Sequence, residues 1–351
     1  MSPFQLGVPM KIASALMLNH HQKALIHAAC PEAEIVHPAE RLRNPVMWDS
    51  EVLDPLVKDA DVLIGHRARP GLAEFAPRLR WIQFLGAGID HLKITDLLSQ
   101  DRIILTNASG VSATWIAEYV LGSMLLFTHR FHLTMAAQRR HEWLGFGSFM
   151  MGVEGLRGKT VGILGYGAIG RETARLCQAY NMEVLALKRN PHHRADTSWI
   201  RPGVGDPDGV IPSRWFGPEQ RAELLASSDY VVVSLPLTPD TRHFLGRREF
   251  DAVKRGAYLV NVGRGPIIDQ DAMIEALKDG RLSGAGLDVT DPEPLNPESQ
   301  LWVMENVILT PHSSGARKTY YDVGCELFAE NLRRLLSGGE LINQIDRTHC
   351  Y

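Results

Sequence analysis

The chain has 351 residues, enough for two domains of about 150 residues each, which excludes a single small binding module. With 45% hydrophobic and 22% charged residues, its composition is that of a folded chain and not of a disordered one. Lys+Arg 37 against Asp+Glu 40 gives a formal charge of -3. That balance lacks the basic excess needed to hold a phosphate backbone, so no nucleic-acid partner is expected.

The first hundred residues alternate short apolar runs with polar helical stretches. The runs Lys11 to Leu18, Glu34 to His37, Asp61 to Gly65, Arg80 to Leu85 and Arg102 to Thr106 read as parallel strands of one small α/β unit. A long helix is predicted from Ser112 to Arg140, opened by Ser112 and Thr114 and carrying Ile116, Val120, Leu121, Met124, Leu125 and Phe127. Such an element links two domains or packs against a second subunit.

A second unit begins with the buried strand at Lys159, followed by a glycine-rich turn and a helix from Arg171 to Tyr180. Strands are predicted at Glu183 to Leu187, Tyr230 to Leu235, Ala257 to Val262, Gly284 to Val289 and Val307 to Thr310. Helical stretches separate them, as a doubly wound sheet requires. Pro191 to Pro218, dense in Pro and Gly, reads as a long exposed loop, and Lys318 to Leu336 as an amphipathic helix.

Cys30, Cys177, Cys325 and Cys350 stand far apart, so neither a disulfide framework nor a zinc cluster is expected, and a reducing, cytoplasmic setting fits. The N-terminal stretch lacks a signal-peptide pattern, and no apolar run reaches membrane-span length. Neither a membrane nor a metal is expected. The adjacent pairs His20, His21 and His192, His193 point apart on helix and strand alike and make poor ligand sets.

Gly165-Tyr-Gly167-Ala168-Ile169-Gly170 matches GxGxxG between a buried strand and a helix, the context that a dinucleotide fingerprint needs. Gly165 permits the tight turn, Gly167 lets the backbone approach a pyrophosphate, and Gly170 lets the helix pack on the strand.

Three later segments follow in order: Asn261-Val-Gly-Arg264-Gly, Gly286-Leu-Asp288-Val-Thr-Asp-Pro-Glu293-Pro-Leu and Thr310-Pro-His312-Ser-Ser-Gly315. With Gly86-Ala-Gly-Ile-Asp90, Asn107-Ala-Ser-Gly110, Ala117-Glu118 and Leu235-Pro-Leu-Thr238, the chain resembles the D-isomer-specific 2-hydroxyacid dehydrogenases, including glyoxylate/hydroxypyruvate reductases. The resemblance runs from about Asp61 to Gly315. It implies that Ser234, Leu235 and Pro236 border the adenosine, that Val262 and Gly263 pass the nicotinamide ribose, and that Asp288 lies near the nicotinamide. Gly315 closes the last of these cofactor-side segments.

Reduction of a 2-keto acid needs a cation for the carboxylate, a proton donor for the carbonyl oxygen and a hydride donor on one face. Arg264 offers a planar fork for a carboxylate. His312 can give up a proton near neutral pH. Glu293 would orient the imidazole and favour its charged form. The resemblance assigns the same three roles. Ala87 and Gly88, following a strand of the first unit, have backbone N–H groups suited to cradling the substrate carboxylate from the side opposite Arg264.

The expected architecture is α/β: two Rossmann-like domains with doubly wound parallel sheets and an active site in the interdomain cleft. Residues 1–110 plus 316–351 would form the substrate domain and 111–315 the dinucleotide-binding domain. The expected partners are a small 2-keto or D-2-hydroxy acid, a nicotinamide cofactor and a second copy of the chain. Trp143 stands where some family members reach into the partner's active site, and interface core is the other reading. A formate dehydrogenase is disfavoured by Glu293 in place of Gln, and a phosphoglycerate-specific enzyme by the short tail after Gly315. The alternative is a non-catalytic dinucleotide-sensing regulator of the same fold.

The NAD-preferring version of this fold carries Asp or Glu at the end of the second strand, about twenty residues beyond the glycines. Here Lys188 and Arg189 stand there, which predicts NADP over NAD through a 2′-phosphate contact. Acceptance of both cofactors is the other reading. Candidates for the substrate-pocket wall are His66, Arg67, Arg69 and Trp302.

Overall fold

The computed structural model describes residues 9–44, 47–89, 92, 94–145, 147, 154–196 and 198–347. Asp90 of the Gly86 motif and Cys350 lie outside the described residues. The chain divides into two compact units, one of Met1–Val111 with Arg317–Tyr351 and one of Ser112–Ala316.

In the first unit, β1 (Lys11–Ser14), β2 (Glu34–Val36), β3 (Val62–Gly65), β4 (Trp81–Phe84) and β5 (Ile104–Thr106) form a sheet in the order β2-β1-β3-β4-β5. Every pairing is parallel. β3 and β4 are buried at all their residues, the pattern of strands covered on both faces. Helices α1 (His20–Ala29), α2 (Ser50–Val57), α3 (Leu72–Phe75) and α4 (Thr95–Leu98) supply the crossovers. Asn19 caps α1 through a reciprocal capping box with Gln22. The late helix Tyr320–Leu336 belongs to this unit: the Phe328 ring stacks on Trp81 with centroids 4.7 Å apart, and the Asn331 side chain accepts the Ile342 N–H at 2.7 Å. Both rings are fully buried, each burial contributing about 2–3 kcal/mol.

The second unit opens with α5 (Ala113–Thr128) and α6 (Phe131–Arg139). The single helix expected over Ser112 to Arg140 is therefore two. Arg130 takes the left-handed conformation at φ 54° and breaks it. The break lets the Phe127 ring stack between Tyr258, at 4.2 Å, and His132, at 5.2 Å. On α5 the buried residues Ala113, Ala117, Val120, Met124 and Thr128 recur at helical spacing along its buried face. Two buried hydroxyl pairs, Ser123 with Tyr258 at 2.9 Å and Thr128 with Tyr230 at 2.6 Å, tie that face to the strands.

The sheet of this unit holds β6 (Thr160–Leu164), β7 (Glu183–Leu187), β8 (Arg214–Phe216), β9 (Tyr230–Val233), β10 (Ala257–Asn261), β11 (Leu282–Leu287) and β12 (Val307–Leu309). Their order is β12-β11-β10-β9-β6-β7-β8, parallel throughout. Helices α7 (Ala168–Ala179), α8 (Arg221–Ser227), α9 (Arg247–Ala252) and α10 (Gln270–Lys278) cover it, and the helix Tyr320–Leu336 is α11. The strand order reverses between β6 and β9, so the crevice beyond their carboxyl ends is the topological switch point of a doubly wound sheet.

The segment from Pro191 to Pro218 differs from the exposed loop read in the sequence. Its end forms β8, paired to β7 with Leu185 opposite Arg214. Asp206 within it is 4% exposed, because its carboxylate accepts the Tyr166 hydroxyl and the Val210 and Ile211 N–H groups. A turn-rich composition does not reveal such tertiary anchors. Among the described residues, no helix is long and apolar enough to cross a membrane.

Candidate active site

The first residue after six of the seven strands of the second unit carries the pairing one step further. Backbone N–H groups donate from Gly165 to Leu187, Lys188 to Phe216, Ser234 to Leu164, Val262 to Val233, Asp288 to Asn261 and Thr310 to Leu287, at 2.9–3.1 Å. Six segments singled out in the sequence thus lie side by side along one sheet edge, the edge where ligands bind in open α/β sheets. A cavity of about 480 Å³ opens at the opposite end, lined by Lys159, Asp229, Gly256 and Asn306 among others; it contains none of the chosen site residues.

At the switch point Gly165 has φ 99°, and a Cβ there would lie 2.9 Å from the Ser234 carbonyl oxygen. The Ser234 hydroxyl donates to Gly165 O at 2.8 Å, locking the two crossovers together. At Gly170 a Cβ would fall 2.3 Å from Gly165 O, whereas at Gly167 it would meet nothing within 4 Å. Gly167 starts α7 without a side-chain cap. An open approach to first-turn amides at the positive end of a helix fits a dinucleotide pyrophosphate. Ala168 is buried and Ile169 half-buried beside this turn.

Lys188 and Arg189 end β7 next to the turn. Lys188 is half-buried, and its ammonium donates to His193 O at 2.8 Å and Ala195 O at 3.4 Å. Burial pushes its pKa below the ordinary lysine value, the Arg171 charge adds to the shift and Asp196 opposes it. Arg189 is exposed.

Arg264 follows β10 in a loop shaped by Asn261, whose buried side chain accepts the Gly263 N–H at 3.1 Å and donates to Arg264 O at 3.2 Å. A Cβ on Gly265 would stand 1.9 Å from Thr290 O, so the arginine loop lies directly on the Thr290–Asp291 backbone. Glu293 accepts the Thr290 N–H at 3.2 Å through one oxygen, and its other oxygen lies 2.9 Å from His312 Nδ1. Arg264, Glu293 and His312 thus sit on three loops that contact one another within this unit. An ionised carboxylate only accepts, so the contact places the hydrogen on Nδ1 and leaves Nε2 for a ligand.

Asp288 is 2% exposed. One oxygen accepts from Thr310 Oγ1 at 2.6 Å, Ser313 N at 2.8 Å and Ser314 N at 3.2 Å, and the other from Ser314 N at 3.0 Å and Ser314 Oγ. Its carbonyl accepts the His312 N–H at 2.8 Å. This carboxylate therefore builds the histidine loop, where the sequence suggested only a cofactor neighbour. Thr310 Oγ1 extends the network, accepting from the Tyr119 hydroxyl at 2.8 Å. Burial raises the Tyr119 pKa to about 12.

Leu235 is half-buried and Pro236 exposed after β9; Val262 and Gly263 are buried after β10; Gly315 is half-buried, a Cβ on it lying 3.3 Å from Ser112. In the first unit, the exposed Ala87 and half-buried Gly88 follow β4, where Gly86 O accepts the Ala108 N–H at 3.1 Å. Of the pocket-wall candidates, Arg69 is paired with Asp54 and lies 4.3 Å over Phe75. His66 stands beside Tyr321, with ring centroids 5.7 Å apart, and the Trp302 indole donates to Asn296 O at 2.9 Å. Sequence reading missed Asn261 and the Tyr166–Arg171–Asp206 cluster; the one signal for Asn261 was an Asx-type residue two positions before a glycine.

The chain belongs to the D-isomer specific 2-hydroxyacid dehydrogenase family, and residues 121–314 match the model of its NAD binding domain. It is thereby a nicotinamide-dependent oxidoreductase of D-2-hydroxy acids. The glyoxylate reductase of Thermofilum pendens is 32% identical over 289 residues, 80% of each chain. That of Aeropyrum pernix is 32% identical over 317 residues, 86% of this chain and 89% of the relative. The structure resembles a D-isomer specific 2-hydroxyacid dehydrogenase from Xanthobacter autotrophicus, solved with NADPH and MES, at a TM-score of 0.74 and 26% identity. The match covers 98% of this chain and all of that one, 100%.

Proposed function

We propose that the chain reduces a small 2-keto acid of the glyoxylate and hydroxypyruvate type to its D-2-hydroxy acid, using NADPH in preference to NADH. The observation that carries the reading is the contact between His312 Nδ1 and Glu293 Oε2 at 2.9 Å, on loops that also present Arg264. Bound at the Gly165–Gly170 turn, a reduced nicotinamide dinucleotide supplies the hydride. The chain's residues do the rest. Arg264 pairs with the substrate carboxylate and polarises the neighbouring carbonyl. The His312 Nε2–H donates a proton to the carbonyl oxygen, and Glu293 holds the ring and stabilises its charged form. Ala87 and Gly88 offer backbone N–H groups to the carboxylate. Ser234, Leu235, Pro236, Val262, Gly263, Asp288 and Gly315 frame the cofactor, as the sheet edge that they share supports.

NADP is favoured by Lys188 and Arg189 at the end of β7, where no carboxylate is present to meet a bare ribose diol. The NADPH complex of the Xanthobacter relative is in keeping with this. A homodimer and a cytoplasmic location belong to the same reading, the latter supported by Cys30, Cys177 and Cys325, all buried and unpaired. The test is nicotinamide oxidation with glyoxylate, hydroxypyruvate and pyruvate under both cofactors. Turnover of a 2-keto acid is the expected result, and cofactor binding without turnover on any of them would overturn it in favour of a dinucleotide-sensing role.

A further inference from the structure

We propose that the connection between β7 and β8, described over 191–196 and 198–213, is a positioning element of the cofactor site, clamped to the glycine-rich turn by Tyr166, Arg171 and Asp206. Its role is to hold residues 188–194 in place for a 2′-phosphate. This rests on the NADP reading above and names the device behind it. Tyr166 lies between Gly165 and Gly167, yet its side chain is 1% exposed and its hydroxyl donates to Asp206 at 2.8 Å. Arg171, in the first helical turn after Gly170, is completely buried. A buried guanidinium is costly unless its donors are met, and here the β7–β8 connection meets them. Arg171 donates to Asp196 Oδ2 at 3.1 Å, to Arg194 O at 2.5 Å and to Asp206 O, and stands 4.9 Å over the Tyr166 ring. Neighbouring Glu172, also fully buried, accepts the Gly205 N–H at 2.6 Å.

The consequence is an arc fixed at both ends. Lys188 N is paired to Phe216 O at 3.0 Å, and residue 194 is held by Arg171. Between them run Lys188, Arg189, Asn190, Pro191, His192, His193 and Arg194, with no carboxylate. Arg189, His192, His193 and Arg194 are exposed, while Lys188 turns its ammonium onto the His193 and Ala195 carbonyls. A dianionic phosphate ester is the ligand that such a row of cations and imidazoles suits. Because Tyr166 and Arg171 belong to the pyrophosphate turn and its helix, the two phosphate-binding features form one body.

Calorimetric titration with 2′,5′-ADP and 5′-AMP, which differ by the 2′-phosphate alone, tests the proposal in the wild type, Tyr166→Phe and Asp206→Asn. Wild type is expected to favour 2′,5′-ADP. In each variant that ratio should fall by about five-fold or more, with 5′-AMP affinity changed by less than about two-fold. Thermal unfolding identifies folded variants; Tyr166→Phe keeps the ring and carries the test should Asp206→Asn not fold. A folded variant with an unchanged ratio would overturn the clamp's role and leave the NADP reading standing. A wild-type ratio of one would overturn that reading and the clamp with it.

Discussion

His312 is held at φ 51° with its Nδ1 2.9 Å from Glu293 Oε2, a left-handed backbone fixed beside the carboxylate that orients the ring. A non-glycine residue in that region carries a conformational cost of about 1–2 kcal/mol. The cost is offset by Asp288, whose carbonyl and both carboxylate oxygens gather the donors of residues 310–314.

Replacing His312 with Gln or Ala should lower turnover of a 2-keto acid by roughly two decades or more, with little change in cofactor affinity. Glu293→Gln should reduce kcat less than either His312 variant, with cofactor affinity unchanged. Steady-state kinetics over pH check both, and near wild-type turnover in the two His312 variants would remove the histidine from the reaction.

Asp288→Ala strands the hydroxyls of Thr310 and Ser314 and two backbone N–H groups. With each buried unpaired donor costing about 1–3 kcal/mol, the loss should exceed about 2 kcal/mol in denaturant unfolding and should also lower kcat. Asp288→Asn keeps the shape and should fall between. Full activity in a folded Asp288→Ala chain would show that the histidine loop holds itself.

The cofactor preference is measured as the ratio of kcat/KM for NADPH to that for NADH. Wild type should lie well above one, and Lys188→Asp combined with Arg189→Ala should bring it down. A wild-type ratio at or below one refutes the preference.

Phe131 and Met135, one helical turn apart on α6, are 52% and 49% exposed, and Trp143 beyond the helix is 98% exposed. The proposed dimer would cover these side chains. Light scattering at micromolar concentration should give twice the chain mass of 39.0 kDa, and Phe131→Glu with Met135→Glu should give the monomer. A wild-type mass of one chain contradicts the dimer.

Acid sensitivity should trace in part to Asp196. Burial acts to raise its pKa, but the Ser198 hydrogen bonds and the Arg171 and Lys188 charges outweigh it, leaving the carboxyl below the ordinary aspartate value. A group lowered on folding stabilises the fold above its unfolded pKa of about 3.9 and loses that contribution as pH falls through the folded value. The difference in thermal midpoint between wild type and Asp196→Asn should therefore be level from about pH 5 to 8 and shrink below about pH 4. A difference that persists unchanged in acid would exclude this carboxylate.

The strands and the glycine turn were legible in the sequence because a parallel strand buried on both faces must be a continuous apolar run. Glu183–Leu187 coincides with its predicted span, and the neighbouring strands differ by a few residues at their ends. The nearness of Glu293 to His312 was legible as well, and the two side chains meet at 2.9 Å. Tertiary packing decided the rest. Arg130 breaks the long helix at φ 54°, beside the stack of Phe127 on Tyr258, and Asp288 anchors the histidine loop because four donors converge on its carboxylate. Likewise Tyr166 and Arg171 are bound to residues 194–206 by contacts between segments distant in sequence. Periodicity records which face of an element is buried, and it carries no information about which distant carboxylate or carbonyl meets a buried donor.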